Sequence, residues 1–377
     1  LYAFGNPDRA TGLGVGAMSG KYPSRLKQDM FDFIMTGPFG LFGRDHQAVA
    51  GFNISTGNSD KWEAFADIFE FPAYVNGRDV VPPAEPEYPD PYQAERVKDR
   101  MTRGYAAAHL NFADRLKGIV GINAIDVSSH GFSYGVDQSR SEKKVSPYLG
   151  IVHDINANLS LYGSYTDIFD PQYESGIDRN RLPAARGKSC EAGLKSEWLD
   201  RRIYATVSVV QAKQSGLADY AGYIPGTLDS YYVGVDTFVK GYEFEIAGRV
   251  TPNWALNGGW TGLSIKDRDR ADVRTYLPRR TLKLSSTYGM PQWRGLRFGG
   301  SVRWQSRVET ADLGTAITQQ SYFLFDVLAG MDLIPGLRAS VNVKNALNEK
   351  YWGSLKWTQA FYGPPRSVVA TIDYTFR

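Results

Sequence analysis

The stretch SPYLGIVHDINANLSLYGSYTDIF, Ser146 to Phe169, decides the reading of this chain. Its second half places Leu159, Leu161, Gly163 and Tyr165 on one face, and Ser160, Tyr162, Ser164 and Thr166 on the other. Strict alternation with period two is the mark of a half-buried β-strand. The polar break Asp154 to Asn158 is short enough to be a tight turn between two such strands. The question is which face is dry, because in a soluble hairpin the apolar face needs a core.

The same pattern recurs along the chain. Tyr242, Phe244, Ile246, Gly248 and Val250 alternate with Gly241, Glu243, Glu245, Ala247 and Arg249. Leu296, Phe298, Gly300, Val302 and Trp304 alternate with Arg297, Gly299, Ser301, Arg303 and Gln305. Leu337, Ala339, Val341 and Val343 alternate with Arg338, Ser340, Asn342 and Lys344. Helical amphipathicity is nearly absent, and 39 glycines with 23 tyrosines suit strands and turns.

The connections alternate as well. Short breaks at 114–115, 154–158, 199–201, 251–253, 291–294 and 334–336 alternate with long polar segments at 6–26, 56–100, 128–142, 170–186, 215–236, 266–277, 307–320 and 347–364. Tight periplasmic turns facing long extracellular loops are the layout of an outer-membrane barrel. Runs of about 10–14 residues match the tilted strands that cross a bilayer better than the 5–6 residues usual in soluble sheets. The expected fold is therefore all-β, an antiparallel transmembrane β-barrel of the outer membrane. Counting both partners of each short turn, the partial strand LYAFG at the start and the last strand gives about sixteen strands. The ending VVATIDYTFR carries Val368, Ala370, Ile372, Tyr374 and Phe376 on one face, with Arg377 one residue beyond the terminal aromatic.

Bulk properties exclude several classes. A net charge of +3 in 377 residues leaves no field for nucleic acid. A single cysteine, Cys190, allows no intramolecular disulfide and no multi-thiolate zinc site. No run of about eighteen apolar residues marks a transmembrane helix. His46, His109, His130 and His153 are scattered without metal spacing, and no nucleophile motif is present, so the chain reads as no enzyme.

At this level of detail the sequence resembles the TonB-dependent siderophore receptors. The resemblance rests on TGPFGLFGRDHQAVAGFNIS (Thr36 to Ser55), YAAAHLNFADRLKGIVGI (Tyr105 to Ile122), the opening hairpin, the hairpin Gly187 to Ala218, GYEFEIAGRVTPNWALNGGWTGL, and VNVKNALNEKYWG followed by YGPPRSVVATIDYTF. It is strongest toward the hydroxamate-type group, the ferripyoverdine and ferric coprogen receptors. Cys190 stands where the family usually has an aromatic, and Asn123 where an arginine is frequent.

The resemblance implies an outer-membrane receptor and transporter for a ferric siderophore, energised by TonB through an N-terminal region outside this chain. Residues 1–377 then form part of a 22-strand barrel, with the plug domain and first strands missing and the fragment alone not transport-competent. A passive porin of about sixteen strands is the alternative. No cofactor is implied, because iron travels as the siderophore's metal. Outer-membrane lipid and lipopolysaccharide complete the expected partners. Rigid aromatic faces in the long segments suit a bulky, partly apolar chelate, which nominates Trp62, Tyr134, Tyr231, Trp352, Trp357 and Tyr362, with Tyr220, Tyr223 and Tyr232 beside them. Trp198, Trp254 and Trp293, next to short turns, read as the periplasmic aromatic girdle.

Overall fold

The computed structural model describes residues 2–4, 8, 10–11, 13–14, 16–67, 69–70, 84–227, 229–312, 315–356 and 361–376. Fifteen long strands form one antiparallel meander among them. They are β1 (Ser24–Leu41), β2 (Arg44–Phe65), β3 (Tyr92–Ala113), β4 (Leu116–Ser133), β5 (Arg140–Asn156), β6 (Leu159–Asp170), β7 (Ala185–Trp198) and β8 (Ile203–Tyr223). β9 (Ser230–Thr251), β10 (Trp254–Lys266), β11 (Arg280–Met290), β12 (Leu296–Gln305), β13 (Tyr322–Ile334), β14 (Leu337–Lys344) and β15 (Ser367–Tyr374) follow. Each pairs with its sequence neighbour. No described helix is long and apolar enough to cross a membrane.

The ladder registers answer the wet-or-dry question. One row of directly opposed residues runs Leu161, Leu194, Val207, Phe244, Trp260, Leu282, Trp304, Phe323 across eight strands, β6 to β13. Every member is apolar. The adjacent row, one residue along, reads Tyr162, Gly193, Ser208, Glu243, Thr261, Thr281, Gln305, Tyr322 and belongs to the opposite face. Among the described residues nothing layers over the apolar face: Val209 is 59% exposed and Ile151 52%. So many bare aliphatic side chains on one continuous face require hydrocarbon as their solvent.

The other face is polar and satisfies itself. Ser160 Oγ donates to Asp154 at 2.7 Å, and the Tyr162 hydroxyl donates to Glu191. Lys117 reaches Asp154 at 2.9 Å, and Arg303 reaches Asp326 at 3.3 Å. Asn123 accepts from Arg103 Nε at 2.5 Å, so the asparagine holds its neighbour's cation instead of supplying one. Cys190 is exposed and lies on the apolar face, between Tyr165 and Gln211. At the tight-turn end, His46 is buried, with its Nδ1 accepting from the Asn111 N–H and its Nε2–H donating to the Leu41 carbonyl. The ring is therefore a staple between the first two hairpins.

Three expectations change. Of LYAFG, the described residues Tyr2–Phe4 join no wall strand: they pair with Gly16–Met18 in a small separate sheet, and three residues cannot cross a bilayer. Among the described residues the wall therefore has fifteen long strands, where the sequence reading expects about sixteen. Strand lengths of 17 to 22 residues in β1–β5, β8 and β9 exceed the expected 10–14. Much of the supposed loop 56–100 is strand, because the β2–β3 ladder continues to Glu63 opposite Tyr92. Beyond the hydrocarbon both faces of a strand are wet, so alternation fades while ladder hydrogen bonds persist.

The direction of the two outermost strands sets a constraint. β1 runs into the tight turn Phe42–Gly43, and β15 runs the same way after β14 leaves the tight turn at 335–336. Among the described residues β1 is in register only with β2, and β15 only with β14. Both are exposed on both faces, with Ile34 at 60% and Ile372 at 72%. Joining them directly would create a parallel pair. Closure with antiparallel ladders throughout takes an odd number of further strands.

Candidate functional site

The mouth is the end carrying the long connections. There β8 and β9 rise as a hairpin beyond their neighbours, and β8 bulges between Gln214 and Leu217. The segment 171–184, between β6 and β7, folds against this stem. Its anchor is Gln172, only 4% exposed. The Gln172 amide donates to the Gly216 and Pro183 carbonyls, both at 2.8 Å, and its side-chain oxygen accepts from the Ala218 N–H at 2.5 Å. A glutamine here supplies what the bulged backbone lacks, since a bulge leaves ladder groups unpaired.

Two arginines close over the Gln172 backbone. Arg140 and Arg181 each donate to its carbonyl at 2.7 Å, and both guanidiniums lie over the Tyr173 ring, 5.4 and 4.8 Å from its centre. The next connection, 267–279, sends Arg274 to the same stem, donating to Ala218 O at 2.7 Å and lying 3.8 Å from Asp219. Asp170, Gln172, Tyr173, Glu174, Asp219, Tyr220, Tyr232, Arg274, Tyr276 and Lys356 line a cavity of about 260 Å³ with the backbone between them. Tyr220 packs edge-on against Tyr223 and Tyr232, with centroids 5.9 and 6.1 Å apart. Burial, and then the nearby Glu174 carboxylate, raise the Tyr232 hydroxyl's pKa, so it is a hydrogen-bond donor at neutral pH.

The arginines are only partly satisfied. The Nε–H groups of Arg140, Arg181 and Arg274 and Nη1 of Arg279 are buried without an acceptor among the described residues. Burial, and then the Arg140 charge, lower the pKa of Arg181. Buried donors without acceptors cost about 1–3 kcal/mol each. Concentrated at one rim, they favour a ligand rich in anionic or carbonyl oxygen.

A second cluster tops β2, β3 and β4. Tyr92 donates to Glu63 at 2.9 Å, and Glu95 accepts from Ser59, Lys61 and Ser133 at 2.5, 2.9 and 2.6 Å. Burial raises the Glu95 pKa, but the three hydrogen bonds outweigh it and hold the carboxyl below its usual 4.5. A depressed carboxylate contributes stability above the unfolded value and loses it as pH falls through the folded one. Glu95→Gln is accordingly expected to lower stability by about 1 kcal/mol at pH 7. That difference should shrink as pH falls below the ordinary glutamate range and vanish once the folded carboxyl is protonated, in paired denaturation curves.

The nominated aromatics scatter over this rim. Tyr134 sits at the β4 tip with φ 50°, its N–H bonded to Ala94 O. Half of it is exposed, yet burial and the Glu63 carboxylate push its hydroxyl up to about 12. Trp62 lies within β2, alternating with Lys61 and Glu63 and so on the face away from their network. Tyr231 is opposite Gly222, next to the cavity residue Tyr232. Trp352 and Tyr362 pair at 6.4 Å in the last connection, where Lys350 lies 4.5 Å from the Tyr362 ring centre. Trp357 lies outside the described residues. Of the wider set, Tyr220 and Tyr232 line the cavity. Gln172, Tyr173, Arg274 and Tyr276 were missed, because buried and solvated polar residues in a loop look alike in sequence. Trp198 and Trp293, 56% and 61% exposed, and Trp254 flank the tight turns as a girdle should.

An apolar-out, polar-in antiparallel wall with tight turns at one end and built-up connections at the other defines an outer-membrane β-barrel. The family described as TonB dependent receptor-like, beta-barrel matches residues 2–346, and the chain belongs to it. The ferric-pyoverdine 358 receptor of Pseudomonas putida is 29% identical over 98% of this chain and 46% of its own length. The ferripyoverdine receptor of Pseudomonas aeruginosa is 29% identical over 94% of this chain and 45% of its own length. The crystal structure of that outer-membrane receptor bound to ferripyoverdine superposes with a TM-score of 0.84 at 26% identity, covering 99% of this chain and 51% of the other. The chain spans about half the length of these relatives.

Proposed function

We propose that this chain forms the barrel wall and outer loops of a receptor that imports a ferric siderophore of the ferripyoverdine type, driven by TonB through a region outside the chain. The carrying observation is the rim cavity of tyrosines around the under-satisfied Arg274, between 171–184, the β8–β9 stem and 267–279. At about 260 Å³ it is smaller than a whole-ligand pocket of 300–1,000 Å³. It suits one arm of a chelate, with the rest of the site coming from a plug beneath and from other loops. Iron enters as cargo on the chelate's own oxygens, so binding is a matter of gripping an organic envelope. The chain acts as receptor and not as catalyst.

Strand parity supports the same reading. Bacterial outer-membrane barrels close with even strand numbers. Fifteen strands plus seven reach the 22 of the plugged transporters. A porin of about sixteen strands would need the missing strand between β1 and β15 and no plug.

The test is growth of an iron-starved strain whose own siderophore receptors are deleted, complemented with the full-length gene. Rescue by ferric pyoverdines or ferric coprogen, lost when TonB is deleted, is expected. Tyr232→Ala or Arg274→Ala should each weaken chelate binding about tenfold in fluorescence titration. No rescue and no binding with any ferric hydroxamate, by a receptor that reaches the membrane, would refute the assignment.

A further inference from the structure

Beside the rim cavity, and sharing Gln172 and Tyr173 with it, two arginines converge on one point. Arg140 on β5 and Arg181 in 171–184 both donate to the Gln172 carbonyl at 2.7 Å. Two nitrogens that meet on one oxygen stand no further apart than twice that distance, so the guanidiniums are immediate neighbours. Arg181 also reaches the Gln138 carbonyl at 3.4 Å. Gln172 and Gln138 are both buried, which fixes the pair in place. The Tyr173 ring, which both guanidiniums cover, forms one wall.

The charges here do not balance. Among the described residues neither guanidinium has a carboxylate at ion-pair distance, and the acids around them are engaged elsewhere. Asp99 takes the Ser129 hydroxyl, Glu174 the Tyr173 N–H at 3.1 Å, and Glu142 the Ala184 N–H at 3.0 Å. Burial and then the Arg140 charge oppose the charged form of Arg181 by more than Tyr173, Asp99 and Glu174 restore. Like charges held this close are costly until an anion joins them.

The shape of the gap selects the anion. Both Nε–H groups are buried without an acceptor among the described residues, so each arginine offers a ligand its Nη end. Two Nη ends side by side match the paired oxygens of a carboxylate. Hydroxamates cancel the charge of the ferric ion they hold, so the core of such a chelate leaves both cations unanswered. The negative charge has to come from elsewhere on the ligand.

We infer that Arg140 and Arg181 form a subsite for a free carboxylate on the periphery of the ferric chelate, gripped over the Tyr173 ring. The inference rests on the siderophore reading above and adds a chemical class to it. The receptor prefers chelates with an acidic side arm and turns away those whose arm carries an ammonium group, which the same two cations repel.

The experiment is equilibrium binding to the purified full-length receptor, read with radio-iron. The probes are a ferric pyoverdine that carries a free carboxyl group and the same chelate with that group converted, after iron loading, to its methyl amide. Wild type should bind the acid about thirtyfold more tightly than the amide. In R140Q/R181Q that ratio should fall to about one, chiefly through weaker binding of the acid. The ratio compares two ligands on one protein, so it separates a carboxylate contact from general damage to 171–184. If the double variant binds neither form, the single variants carry the test, each with an expected ratio of about five. R140K/R181K keeps the charges without the planar fork and should hold an intermediate ratio. Tight and equal binding of acid and amide by wild type overturns the subsite alone, as does a thirtyfold ratio that survives in the glutamine variants. Loss of the ratio in millimolar inorganic phosphate, with amide binding unchanged, would make free phosphate the occupant and overturn the chelate arm. A folded wild type that binds neither form overturns the siderophore reading, and the subsite falls with it.

Discussion

Gln172→Leu is expected to open the mouth and to weaken ferric-chelate binding about a hundredfold. Leucine fills much the same space but leaves the Gly216 and Pro183 carbonyls and the Ala218 N–H without the partner they have now. Each such buried group costs about 1–3 kcal/mol, so the docked arrangement loses several kcal/mol while an undocked loop loses nothing. Segment 171–184 then leaves the stem and withdraws the Arg140 and Arg181 contacts that cover Tyr173. The barrel itself should keep its melting temperature, because the change lies above the membrane-crossing rows. Limited proteolysis checks the mechanism, with new cleavage within 171–184 expected alongside the loss of affinity. Intact protection with unchanged affinity would show that Gln172 is not the anchor.

Gly248→Val is expected to prevent assembly. Gly248 has φ +145°, where side chains are rarely accommodated, and a β-carbon there would overlap the Arg202 carbonyl oxygen. That oxygen accepts from the Arg249 N–H at 2.8 Å in the tight turn where Leu199, Asp200 and Arg201 all have positive φ. Backbone strain and overlap together cost about 3 kcal/mol or more, and the turn has no spare conformation to yield. Gly40→Ala is the matched control, since a β-carbon at Gly40 meets nothing within 4 Å. It should stay within about 0.5 kcal/mol of wild type. Heat-modifiable migration and yield in the outer membrane distinguish the two outcomes.

The wall was legible because lipid and water impose opposite demands on alternate residues. Leu161 and Tyr162 declare their faces in any reading of LSLYGSY, and the structure places them in the apolar and polar rows. Six of the seven tight turns among the described residues were legible for the same reason, each interrupting two alternating runs. The strand ends were not. Lys61, Glu63 and Glu95 belong to ladders bathed on both sides, where no alternation survives to mark a strand. The rim was the least legible part. Gln172 earns its place through groups 44 and 46 positions away, Gly216 and Ala218, and nothing local in DPQYES records that pairing. Tyrosine-rich segments did point to the β8–β9 stem, where Tyr220 and Tyr232 line the cavity with Arg274, which sequence could not distinguish from a solvated arginine.

The most direct test of the central claim is equilibrium binding of ferric pyoverdine by the purified full-length receptor, with metal-free pyoverdine and ferric citrate as comparators. Binding in the nanomolar to low micromolar range that requires the ferric chelate, and that falls about a hundredfold in Gln172→Leu, is the predicted result. A folded receptor that ignores every ferric hydroxamate and instead conducts small sugars and ions as an open pore would contradict it.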